Sequence, residues 1–137
     1  MDTAEDLRDS LVQMSFTVVA ALSRVAAEHD LSLTQLRVLG ILRDREPTMA
    51  ELAGYLGLER STVSGLVDRG TQRGLLRKKA DLADGRSVRV CLTAEARRLE
   101  VVVLGKIGDL LAPLTDRLGQ PEQQRLAGLL TKALGNG

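Results

Sequence analysis

The chain has 137 residues and a mass of 14.8 kDa, with 44% hydrophobic and 27% charged residues, so it is one globular subunit rather than a disordered segment. A single cysteine, Cys91, excludes an internal disulfide and a four-cysteine zinc site; a single histidine, His29, excludes a His–His metal pair; and Phe16 and Tyr55 alone are too few aromatics for a single-strand stacking platform. The net charge of +1 is unevenly divided: residues 1–59 carry five Arg and ten Asp/Glu, residues 60–98 ten Lys/Arg and four Asp/Glu, and residues 99–137 four of each. The middle stretch is therefore net +6, the local electrostatic footprint of a phosphate-backbone binder.

In chain order, Leu7, Leu11, Met14, Val18, Leu22 and Val25 recur at steps of four and three, which predicts a first helix of about twenty residues with one apolar face. Arg8 and Arg24 bracket this segment, and the uncharged run between them is short for a membrane span or a signal peptide. Cytoplasmic location and no membrane partner are the expectation, and the lone thiol fits a reducing compartment. Ser32-Leu33-Thr34-Gln35 has the form of a capping box opening a short second helix with Leu36, Leu39, Ile41 and Leu42, ended before Pro47. Thr48-Met49-Ala50-Glu51 repeats the motif for a third helix, with Leu52, Ala53 and Leu56 inward and Gly57 reversing the chain.

A fourth helix is predicted from Arg60 to Gln72, burying Val63, Leu66 and Val67 and ended by Gly74. Leu75–Lys79 and Ser87–Leu92 read as two strands, with Asp84-Gly85 in the turn between them. Alternation in the second strand places Val88, Val90 and Leu92 inward, and Ser87, Arg89 and Cys91 on the other face. Thr93 can cap a fifth helix along Leu99, Val103, Ile107, Leu110, Leu114 and Leu118, with a kink or early break near Ala112 because Pro113 lies inside it. Gln120-Pro121-Glu122 starts a sixth helix bearing Leu126, Leu129, Leu130 and Ala133 on one face.

The expected fold class is mainly α with a small β-hairpin wing: a winged helix-turn-helix lobe over residues 32–93, flanked by helical dimerisation segments at 1–31 and 94–137. Two short helices joined by a tight turn let the first brace the second, whose N-terminal end can enter a major groove. The exposed residues at that end are Arg60, Ser61, Thr62 and Ser64; small hydroxyls permit close approach and can bond phosphates or base edges. Arg69 and Arg73 lie further along, where backbone contacts are expected. Arg86 follows the hairpin turn and suits a narrow minor groove, with Asp84 expected to orient it or a backbone amide. Arg77, Lys78, Lys79 and Arg89 supply positioning charge along the wing. Each of these cations alone reads as solubilising surface, and Ser61 and Thr62 alone as residues satisfying free amides of a first helical turn. The conjunction of helix-turn-helix, wing and localised charge points to duplex DNA.

Leu31–Leu39 (LSLTQLRVL), Met49–Ala53 (MAELA), Ser61–Ser64 (STVS), Leu66–Arg69 (LVDR), Arg73–Leu76 (RGLL), Asp84–Arg86 (DGR) and Val90–Thr93 (VCLT) resemble the MarR family. The resemblance covers residues 5–134 and is specific from Met49 to Thr93. It implies a homodimeric transcriptional regulator, a repressor by expectation, whose first, fifth and sixth helices interlock between subunits. Groove-reading residues would map to Ser61, Thr62 and Ser64, and the wing arginine to Arg86. Two positions depart from the pattern. Gly70 replaces a larger apolar residue and costs about 1 kcal/mol against alanine within a helix, which would shorten or bend its end. Glu59 stands where a smaller polar cap is common.

The terminal apolar stripes argue for association by themselves, because a small winged lobe leaves them without a partner; two copies around a twofold axis would bury them. Control by a small phenolic or other organic effector is implied by the resemblance, with Tyr55 and His29 as candidate contacts, although such a tyrosine is more often packing and such a histidine more often a capping residue. No metal or cofactor is expected. Cys91 on the Arg89 face would be partly accessible, so a thiol-oxidation sensor is an alternative, as is a winged-helix protein-interaction module. Catalysis is not expected: the sequence has no phosphate loop, nucleophile elbow or histidine–carboxylate pair of useful spacing.

Overall fold

Capping fixes where the helices begin. The computed structural model describes residues 2–135, so Met1, Asn136 and Gly137, at the ends of the first and last predicted segments, lie outside the described residues. The order is α1 (Thr3–Glu28), α2 (Leu33–Ile41), α3 (Met49–Leu56), α4 (Arg60–Gln72), β1 (Leu76–Ala80), β2 (Val88–Leu92), α5 (Ala94–Thr115) and α6 (Gln120–Ala133). Both predicted capping boxes are present. Gln35 N–H donates to Ser32 Oγ at 3.0 Å while Ser32 N–H donates to Gln35 Oε1 at 2.7 Å. Glu51 N–H and Thr48 Oγ1 lie 3.2 Å apart, and Thr48 N–H reaches Glu51 Oε1 at 3.1 Å. Each box satisfies two backbone donors that a helix start leaves free.

Gly57 closes α3 with φ of 66°, a left-handed conformation that glycine adopts without a Cβ clash, and the chain enters α4 after Leu58 and Glu59. Glu59 is the N-cap of α4 but makes no side-chain capping bond, so the small-residue cap that the sequence lacks is not replaced. Gly70 does not shorten α4: the helix continues to Gln72. A Cβ at Gly70 would lie 2.6 Å from Leu76 Cδ1 and 2.7 Å from Leu76 Cγ, so the glycine lets α4 pack directly on β1. The expected penalty in helix propensity is thus offset by a tertiary contact.

The strands pair antiparallel in the register Leu76↔Leu92, Arg77↔Cys91, Lys78↔Val90, Lys79↔Arg89 and Ala80↔Val88. Strict alternation fails at the base of this hairpin. Val90 is 0% exposed and Leu92 7%, as predicted, but Cys91 is also buried at 2%, and Val88 is exposed at 37%. Helix α4 packs on β1, and α3 and α5 pack on β2, so Val90, Cys91 and Leu92 at the inner end of β2 are all buried while Val88 at its outer end is not. The Cys91 thiol donates to Arg77 O at 3.6 Å. This burial overturns the expected partial access to Cys91, the observation on which the thiol-sensor alternative rested.

The core runs from α1 through the winged region to α5. Leu42, Leu52, Val25, Val63, Val67 and Val90 are its most fully buried large side chains, each worth about 1.5–3 kcal/mol of burial. Helix α5 does not break at Ala112; it passes through Pro113 and ends two residues later at Thr115. The proline removes the donor that would bond Asp109 O and crowds that carbonyl, and the helix ends two residues after it.

The stripes of the long helices are only partly covered. Val25 is buried, whereas Leu7, Leu11 and Met14 on the same predicted face are 60%, 50% and 40% exposed. Helix α6 has no buried residue, and Leu126, Leu129 and Leu130 stand exposed on it. By length and composition α1 is also apolar enough to cross a membrane, more so than the short uncharged run between Arg8 and Arg24 suggested. The same composition arises in a helix that packs α5 along one stripe and presents a second stripe outward.

Candidate nucleic-acid interface

The first turn of α4 projects from the core on Val63, Leu66 and Val67, which are 0%, 8% and 0% exposed. Arg60, Ser61, Thr62 and Ser64 are consequently turned outward and exposed. No acidic side chain occupies this first turn beyond the cap. Its free amides and the helix dipole therefore favour an anion there, opposed only by Glu59. Arg69 follows on the exposed side, its guanidinium lying 3.3 Å from where a Gly65 Cβ would stand, so the absent side chain gives the arginine room over the helix.

Asp84 organises the hairpin tip as expected. Its Oδ1 accepts from Arg86 N–H at 3.0 Å, and Ser87 Oγ lies 3.3 Å from its Oδ2. Asp81 does the same one turn earlier, accepting from Ala83 N–H at 3.1 Å. The carboxylates are thereby engaged with the turn, and the Arg86 side chain is exposed.

The predicted cations divide into two groups. Among the described residues, Arg60, Arg69, Arg77 and Arg86 make no side-chain hydrogen bond or ion pair and remain exposed. The others are engaged within the chain. Arg73 donates to Asp30 O at 2.7 Å and to His29 O at 3.0 Å, tying the end of α4 to the turn after α1. Lys78 pairs with Asp68 at 3.2 Å, and Lys79 pairs with Glu46. Arg89 donates to Glu46 O at 2.7 Å and lies 3.3 Å from Asp81 Oδ1 and 3.8 Å from Glu51 Oε1. Arg73 stays exposed while making these bonds, and both guanidiniums serve as struts within the chain.

Three acids near Arg89 are held in their charged form. The Lys79 ammonium holds the Glu46 carboxyl below its ordinary range, the Thr48 backbone amide does so for Glu51, and the Ala83 amide, with Arg89 adding, does so for Asp81.

Sequence reasoning did not locate an open cavity of about 700 Å³ between α1, α2 and α5, walled by Leu22, Leu36, Leu99, Val103 and Ile107 and edged by Arg37, Arg43 and Arg45. Neither Tyr55 nor His29 lines it. His29 Nδ1 is 3.0 Å from Val25 O at the end of α1, the capping role expected of it. Tyr55 is instead gripped by the cavity rim: Arg37 donates to Tyr55 O at 3.0 Å, and the Arg45 guanidinium sits 5.1 Å from the centroid of its ring. The signal was the arginine triplet beside an apolar helix, whose meaning depends on α5 packing opposite. Among the described residues no cluster of His, Cys, Asp and Glu has the arrangement of a metal site.

A helix-turn-helix, a two-stranded wing after it and long flanking helices define a winged helix-turn-helix protein. Residues 29–87 match the family model described as MarR family. MarR from E. coli in its apo form is 26% identical, with a TM-score of 0.73 over 92% of this chain and 95% of that one. RV1404 from Mycobacterium tuberculosis is 23% identical, with a TM-score of 0.81 over 100% of this chain and 97% of that one. CouR from Rhodococcus jostii RHA1, solved bound to p-coumaroyl-CoA, is 20% identical, with a TM-score of 0.77 over 97% and 94%. No curated protein sequence matches. Residues 29–87 are thus similar to the MarR family model, and the chain as a whole has the fold of solved MarR-family regulators.

Proposed function

We propose that the chain is a sequence-specific, double-stranded-DNA-binding regulator of transcription, a repressor acting in the cytoplasm as a homodimer, with no catalytic step of its own. One observation carries the reading: the first turn of α4 and the tip of the wing are both exposed, and both keep cations unengaged, Arg60 at one and Arg86 at the other. Ser61, Thr62 and Ser64 contact base edges and phosphates in the major groove, and Arg86 enters the minor groove beside it. Arg69 and Arg77 add phosphate contacts. Residues 32–93 form the DNA-binding lobe, and the segments at 1–31 and 94–137 form the association region.

The exposed apolar faces of α1, α5 and α6 support the homodimer, since a second copy buries them around a twofold axis. Two recognition helices so related read an inverted repeat with half-sites about 10–10.5 base pairs apart. The cavity between α1, α2 and α5 supports release by a small organic effector, a reading in keeping with the acyl-CoA ligand of CouR. Arg37 and Arg45 border that cavity and hold Tyr55 in the last turn of α3, so a ligand that displaces either is felt by the helix that braces α4.

The test is Arg86→Ala assayed by gel shift on a duplex taken from upstream of the chain's own gene. Affinity falls by about 1–3 kcal/mol, while melting and oligomeric state stay unchanged. Undiminished affinity would show that the wing does not reach DNA.

A further inference from the structure

We propose that Arg89 is a positioning residue for DNA binding: with Asp81, Glu46 and Glu51 it locks the wing to the start of α3, fixing where Arg86 stands relative to α4. The inference rests on the reading of Arg86 as a DNA contact. Its observation is separate: three segments distant in sequence converge on one guanidinium.

Arg89 lies on β2 opposite Lys79, and its backbone bridges to Thr48, the cap of α3. Its Nη1 donates to Glu46 O at 2.7 Å, and its Nε lies 3.3 Å from Asp81 Oδ1. Asp81 is only 11% exposed in its side chain, and the same Oδ1 receives the Ala83 amide that shapes the tip. On the other side, Glu51 Oε1 lies 3.8 Å from Arg89 and also takes the Thr48 amide of the capping box. One planar fork therefore joins the hairpin tip, the α2–α3 connection and the first turn of α3. The ammonium of lysine, a point donor on a flexible stem, cannot span these partners together. Val90 N–H to Pro47 O at 2.9 Å and the Lys79–Glu46 pair brace the same junction.

A wing held in place beforehand loses little freedom on binding, whereas a loosened wing must be ordered by the DNA at a cost in affinity. Surface electrostatics and a lock make opposite forecasts for Asp81. Removing an anion from a DNA-facing region strengthens binding if the residue acts only through its charge. Removing it from a lock weakens binding, although the cations gain by one.

The experiment measures affinity for the upstream duplex over a series of salt concentrations, for wild type, Asp81→Asn, Arg89→Ala and the double variant, with Arg86→Ala as reference. Asparagine keeps an Oδ1 for the Ala83 amide, so the turn is preserved while the ion pair is lost. Asp81→Asn and Arg89→Ala each weaken binding by about three- to tenfold, and the double variant is no weaker than the worse single one, as for a shared interaction. Arg86→Ala lowers the magnitude of the log–log salt slope by about 1, and Arg89→Ala leaves it at the wild-type value. If Arg89→Ala melts early, Asp81→Asn alone decides the matter by its sign. Tighter or unchanged binding by Asp81→Asn, additive losses, or a reduced slope in Arg89→Ala overturns the positioning role and leaves the reading of Arg86 intact. Failure of the wild-type chain to bind any duplex overturns that reading, and the positioning role with it.

Discussion

The winged region from Ser32 to Thr93 and the helices that flank it treat apolar surface in opposite ways. The winged region supplies most of the core, including Leu42, Leu52, Val63, Val67 and Val90, and closes it with two capping boxes and a left-handed glycine. Of the flanking helices, α1 contributes Val25 and Ala26 to that core, α5 contributes Ala96 and Val103, and α6 contributes nothing. Yet α6 carries leucines at 40%, 55% and 43% exposure. The contrast teaches that the same periodic signal can mark a face already covered by its own chain or a face awaiting another.

The sharpest way to break this contrast is to charge the uncovered face. Leu129→Glu, at 55% exposure, costs the isolated subunit little but places a carboxylate in the proposed association surface. Sedimentation should show conversion to monomer, and DNA binding should fall with it because each half-site is then bound alone. An unaltered assembly state would mean that the α6 face lies outside the association surface.

A smaller effect probes the covered side. Gly70→Ala gains about 1 kcal/mol of helix propensity and loses about 1–3 kcal/mol to overpacking, because Leu76 is buried at 4% and has little room to retreat. Thermal melting should therefore drop modestly, and adding Leu76→Val should recover part of the loss. A rise in melting temperature would show that α4 and β1 separate easily at this contact.

The smallest expected effect is on pH. Glu46, Glu51 and Asp81 are all held below their ordinary carboxylate range in the fold. A depressed native value means a contribution that is complete above the unfolded value and lost as pH falls through the folded one. Stability should hold through neutral and mildly acidic conditions and decline only below the ordinary carboxylate range, with Asp81→Asn showing a shallower decline. Equal acid profiles for the two proteins would remove Asp81 from the set of native-state stabilisers.

Much of the fold was legible in the sequence because its signals are local. Ser32 with Gln35 and Thr48 with Glu51 sit three residues apart, and Gly57 acts on its own turn. What was not legible depends on distant partners. Arg73 and Arg89 looked like free charge, but their backbone acceptors lie 43 or 44 residues away in the chain. Cys91 looked half-exposed because alternation describes one covered face, whereas the hairpin base is packed by three helices. Gly70 read as a helix defect because its reason, Leu76, belongs to another element. The cavity escaped notice for the same cause: its walls come from three helices, and only the fold brings Arg37, Arg43 and Arg45 to its edge.

The account rests on duplex DNA meeting the start of α4 and the wing, and the dependence of affinity on salt tests this most directly. With Arg60, Arg69 and Arg77 of each subunit neutralising phosphates and Arg86 adding its charge in the minor groove, log affinity should fall linearly and steeply with log salt, by about 0.9 per phosphate neutralised. A flat dependence, or no retention of any duplex at low ionic strength, would contradict it.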